Sequence, residues 1–118
     1  MLDISKIEYL TKRILDFRDA RDWKQFHNPK DSAISLVLEA TEVMEHSQWK
    51  NTKEMEEHLK NDKEEVADEL ADTLYWLLLM GHDFDIDLLD ALDKKLKKIE
   101  AKYPVEKAKG KHTKYNEL

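Results

Sequence analysis

The stretch LVLEATEVMEHSQWK, residues 36–50, sets Glu39, Glu42 and Glu45 in steps of three along what reads as an apolar helix. A second stretch, EEVADELADTLYW at 64–76, carries Glu65, Asp68, Glu69 and Asp72, with Trp76 one turn further on. Two carboxylates about 4 Å apart repel by roughly 4 kcal/mol at an effective dielectric near 20, so partly buried rows need cations, basic partners or raised pKa values. Few bases lie within these stretches to neutralise them. Oxygen ligands without sulfur suit hard divalent ions, which points to magnesium or manganese. The plainer reading is a solvated acidic face, and the apolar setting of the acids weighs against it.

Other chemistries are less well served. The chain has no cysteine, which excludes disulfides, zinc ribbons and thiol catalysis. Di-iron carboxylate bundles place Glu-x-x-His on two helices. Here Lys24, Val43, Met55, Leu79 and Lys109 stand three residues before His27, His46, His58, His82 and His112. A di-iron bundle is therefore the lesser alternative, beside a non-enzymatic helical module whose acidic faces bind partners. A formal net charge of −6 with clustered acids repels a nucleic-acid backbone, so no direct nucleic-acid binding is expected. The start MLDISKIEYL lacks the pattern of a signal peptide, and the apolar run at 74–81 is too short to span a bilayer. A soluble, cytoplasmic protein is expected.

What must position the acids is helical. Two glycines, two prolines and 39% charged residues in 118 leave little for a sheet-rich fold. One all-α domain is expected, a four-helix bundle over 1–104 followed by a basic, irregular arm at 105–118. The first helix is predicted from about Ile4 to Asp19, with a Ser5/Glu8 capping-box pattern and Ile7, Leu10, Ile14 and Phe17 at helical spacing. Asn28 followed by Pro29 starts the second, which runs to about Trp49. The polar stretch after it holds one short helix at most. The third long helix covers about Asp62 to Met80, with Gly81 as its stop, and the fourth runs from Asp87 to Pro104.

In projection, Ala33, Ile34, Val37, Leu38, Thr41 and Met44 share a broad arc of the second helix, which reads as its core face. Glu45 falls inside that arc, while Leu36 and Val43 lie on the far side. Apolar surface in two directions implies a second subunit. On the third helix, Val66, Leu70, Thr73, Leu74 and Leu77 read as core, opposite the acids.

The motifs RDWKQFH, LEATEVMEHSQWK, DELADTLYWLLLM and KYPVEKAKGKHTKY together resemble the MazG-like all-α nucleoside triphosphate pyrophosphohydrolases, and within them the small dCTP-pyrophosphatase-like branch. The resemblance runs in order over nearly the whole chain. Its signature, Glu-x-x-Glu then Glu-x-x-Asp, falls on Glu39, Glu42, Glu69 and Asp72, which implies that these four hold Mg²⁺, with Mn²⁺ able to substitute. It further implies a nucleoside triphosphate substrate, release of monophosphate and pyrophosphate, and a homodimer or homotetramer. Glu45 matches a further family glutamate that could orient the attacking water. Trp23, His27 and Trp49 match base-pocket positions, and Trp76 stands where a relative has tyrosine. Lys95 and Lys102 match positions that face phosphates. His46 and His82 read as structural or exposed. Two departures stand out: Ile99 replaces a frequent asparagine, and Ile14 replaces a histidine of the dCTP-preferring relative, which leaves the preferred base open.

Overall fold

The structure, a computed structural model, describes residues 4–118. Among them every regular element is helical, so the all-α expectation is borne out. The chain divides into two compact units, 1–85 and 86–118.

In the first unit, α1 (Ile4–Ala20) leads through a single 3-10 turn at Lys24–Phe26 to α2 (Pro29–Glu45). The start of α2 is the predicted one. The Asn28 side chain accepts from the Asp31 N–H at 2.9 Å, and Pro29 occupies the first turn, where its missing N–H costs nothing. Ser5 lies inside α1, and the residue before Ile4 falls outside the described residues.

α2 ends earlier than predicted, at Glu45 rather than Trp49. Tight turns follow it (Ser47 N–H to Met44 O at 2.9 Å), Trp49 sits in the left-handed region at φ 67°, and a new helix is capped immediately after. That helix, α3 (Thr52–Asn61), begins with a reciprocal capping box between Asn51 and Glu54. α4 (Lys63–Asp83) outruns its predicted stop. Gly81 lies buried inside it, and the chain turns only at Phe84 and Asp85, the latter at φ 54°. A glycine in a helix ends it only when its positive φ is used, and here it is not.

α2 lies against α4, and α1 and α3 also pack on α4. Among the described residues the buried apolar core is small: Val66, Leu78 and Leu79, all on α4. Here the predicted sidedness is overturned. Val37, Leu38 and Met44 are 60%, 58% and 64% exposed, and Ile34, Leu70, Leu74 and Leu77 are exposed too. The buried side of α2 is the stripe of Ser32, Leu36, Glu39 and Val43, fully buried at Ser32 and half-buried at the rest. Periodicity shows that a helix has two apolar faces, but not which one its own chain covers. Glu39, Glu42 and Glu69 are half-buried, and the larger apolar arc of α2 faces out.

In the second unit, the Asp87 side chain caps α5 (Leu88–Lys102) by accepting from the Asp90 N–H. Within 105–118, expected as an irregular arm, a helical turn α6 (Val105–Ala108) and a 3-10 turn at Tyr115–Glu117 form. The Tyr115 ring sits 6.1 Å from that of Tyr103, and Lys102 Nζ lies 4.6 Å from the Tyr115 ring centre. Among the described residues no helix is long and apolar enough to cross a membrane.

Candidate metal centre

Residues three apart on a helix share a face. Glu39 and Glu42 do so on α2, and Glu69 and Asp72 on α4, and the two pairs meet across the α2–α4 packing. One oxygen from each of the four lies within 4.8 Å of the others. The three glutamates are half-buried and Asp72 is exposed. Glu39 Oε2 and Glu69 Oε2 are buried with no hydrogen-bond partner.

Such orphaned acceptors normally cost free energy, and ionised ones repel each other as well. The titration of the group reflects this. The neighbouring Glu42 carboxyl first, then burial, then the charges of Asp72 and Glu39 push Glu69 up to about 7. Burial first, then the charges of Glu42 and Asp72, also raise Glu39. A divalent cation held by these oxygens would remove both penalties. Four carboxylate oxygens this near one another are donors that a hard divalent ion such as Mg²⁺ would take. The donor set is all oxygen, as that ion requires. The residues fit it.

The other sequence-predicted residues divide. His27 and Trp76 are brought together, ring centres 5.3 Å apart and edge to face. Trp23 packs edge-on against Phe17 at 5.6 Å. Trp49 is 91% exposed and lies beyond the far end of α2, a helix of 17 residues and so about 25 Å long. Within one chain it does not share a pocket with His27. Glu45 is exposed and outside the carboxylate group. Lys95 and Lys102 are exposed on α5 in the second unit.

Two groupings escaped the sequence. Arg18, 2% exposed, donates from Nη1 to Asp83 Oδ2 at 2.8 Å and lies 3.5 Å from His27 Nδ1. Its position one turn after Ile14, on the inward stripe of α1, was the one signal available. His46 Nδ1 meets His58 Nε2 at 2.9 Å, and His58 Nδ1 lies 3.1 Å from Asp62 Oδ2. The ring centres are 5.1 Å apart, close to the nitrogen separation plus two ring radii. The nitrogens therefore face each other along one line, as in a hydrogen bond; a metal shared by both would draw the rings off it. This chain ties the end of α2 to α3 and explains why His46 is structural.

The fold is all-α and its paired acids form a group that could hold a metal ion, and comparison with known proteins gives the family. Residues 34–118 match the MazG-like family. The chain is 32% identical over 114 residues to dCTP pyrophosphatase 1 of Rattus norvegicus and of Homo sapiens, covering 95% of this chain and 67% of each relative. A crystal structure of a pyrophosphatase from Archaeoglobus fulgidus superposes with a TM-score of 0.82 at 35% identity, over 88% of this chain and 97% of that one. The chain belongs to the MazG-like family, in its dCTP-pyrophosphatase-like branch, and is an enzyme of the nucleotide pyrophosphohydrolase type.

Proposed function

We propose that the chain hydrolyses (deoxy)nucleoside triphosphates to the monophosphate and pyrophosphate in a Mg²⁺-dependent reaction, and so clears excess or non-standard nucleotides. The observation that carries this is the group of four carboxylates with two buried, unpartnered oxygens between α2 and α4. Glu39, Glu42, Glu69 and Asp72 would hold the ion. Bound there, it would neutralise phosphate charge and make a water nucleophilic for in-line attack at the α-phosphorus.

The protein's own part is to orient the reactants. Glu45, one turn beyond Glu42, is assigned to orienting the water. His27 and Trp76, with Trp23 nearby in sequence, are assigned to the base. Lys95 and Lys102 are assigned to the phosphates on the strength of the family pattern. Trp49 joins the base pocket only from a second copy of the chain, which the exposed apolar arc of α2 also favours. A homodimer or homotetramer is the assembly this reading requires.

A panel of standard and modified nucleoside triphosphates with Mg²⁺, scored for pyrophosphate and monophosphate, tests the proposal. At least one should be turned over, with the dCTP pyrophosphatase relatives making dCTP and its modified forms the first to try. No turnover of any triphosphate, or no metal dependence, would favour the helical interaction module instead.

A further inference from the structure

The Arg18–Asp83 pair joins two helices from opposite ends of the first unit, 65 residues apart in sequence. A buried ion pair of this kind contributes little net stability compared with apolar packing, so its position is more informative than its existence. It stands directly behind His27. Arg18 Nη1, already donating to Asp83 Oδ2, also faces His27 Nδ1 at 3.5 Å. A guanidinium donates and never accepts. Nδ1 must therefore be the lone-pair nitrogen, and in a neutral ring the proton then sits on Nε2. Burial and the Arg18 cation both lower the His27 pKa, outweighing the attraction of Asp83, which agrees with a neutral ring at physiological pH.

The opposite edge of the ring is free. Among the described residues nothing bonds to Nε2, and His27 touches the Trp76 ring while lining a cavity of about 330 Å³ with Lys24, Asn28, His82 and Asp83. Asp83 is engaged by Arg18, which leaves the Nε2 side of His27 as a donor without a protein partner among the described residues.

We propose that Arg18, held by Asp83, is a positioning residue for base selection: it fixes His27 as the neutral Nε2–H imidazole, so that bases are ranked by whether a carbonyl oxygen or an unprotonated ring nitrogen meets that one proton. This rests on the reading of His27 as base-facing, and it names the chemistry that the site recognises. Without Arg18 the ring takes either tautomer or a proton, and the site loses its preference.

Long-range ¹⁵N–¹H spectra of the histidine rings in the full chain, free of nucleotide, report the tautomer directly. In the wild type, His27 Nε2 should carry the proton and Nδ1 should not. In Arg18→Gln, whose amide offers both a donor and an acceptor, both tautomers should appear. KM for the preferred triphosphate should rise roughly five- to tenfold, as for loss of one hydrogen bond, with a smaller change in kcat. His27→Gln, whose amide nitrogen takes the place of Nε2, should keep the ranking of triphosphates better than His27→Asn, which mimics Nδ1. A proton on Nδ1 in the wild type overturns the proposal even if Arg18→Gln fails to fold. So does an unchanged ranking in an Arg18→Gln protein whose tautomer has shifted. Because the tautomer is read without substrate, the two readings fail separately: an Nδ1 proton in a protein that hydrolyses triphosphates refutes this proposal alone, whereas the expected spectrum with no triphosphate hydrolysed refutes the proposed function and the base selection that rests on it.

Discussion

Glu69, with a pKa of about 7, makes proton and metal compete for the same oxygens. Its pKa is raised above the ordinary 4.5, so without metal the native chain binds a proton that the unfolded chain has released. The stability this gives is fully present below about pH 4.5 and is lost as pH rises through about 7. Melting wild type and Glu69→Gln in chelator isolates the effect: the wild type should fall behind the variant between pH 5 and 8, and Mg²⁺ at pH 8 should restore it. Parallel curves would mean that Glu69 is an ordinary carboxylate. Glu42→Gln and Asp72→Asn address the ligands themselves. Each should reduce turnover by more than the roughly 10–100-fold typical of losing an outer-shell partner, with the helical spectrum intact. Melting temperature in chelator should rise, since a repelling charge is gone. Full activity in either variant would remove that residue from the site.

The helices show which parts of the structure could be read in the sequence. Asn28–Pro29 and Asp87 announced the starts of α2 and α5 because a cap is a local event, settled within three residues. The side that each helix turns to its own chain is not local. The arc of Val37, Leu38 and Met44 looked like core and is exposed, whereas the acid stripe is turned onto α4. The four carboxylates were legible through the family pattern, and the meeting of His27 with Trp76 through the same motifs. Arg18 with Asp83, and His46 with His58, were not, because a long-range polar contact leaves no periodic trace. Trp49 puts the element scale to the test. Being 91% exposed, it should leave stability within about 0.5 kcal/mol when changed to alanine. Trp49→Ala should nevertheless weaken nucleotide binding, stacking being worth on the order of 1–3 kcal/mol per base, and leave pyrophosphate binding almost unaltered. Titration of both ligands checks this. Equal losses would place the base elsewhere.

At the scale of the whole molecule, the exposed apolar surface is the dominant fact. Ile34, Val37, Leu38 and Met44 on α2 form one open face, and Leu70, Leu74 and Leu77 on α4 another. A groove of about 340 Å³ between α1 and α4, lined by Ile14, Phe17, Leu74 and Leu78 among others, extends the second. Contiguous surfaces of this kind mark association sites in soluble proteins. Sedimentation should find an oligomer even at low concentration, and Val37→Asp or Leu74→Asp should weaken it and reduce activity together. A fully active wild-type monomer would contradict this. Whether four carboxylates between α2 and α4 hold the ion for cleavage between the α- and β-phosphates can be read from ³¹P spectra of a turned-over triphosphate in ¹⁸O-water. Monophosphate and pyrophosphate should form in equal amounts, with the ¹⁸O on the monophosphate, and the reaction should stop on adding chelator. Orthophosphate with a diphosphate product, or turnover that chelator leaves untouched, would contradict this assignment.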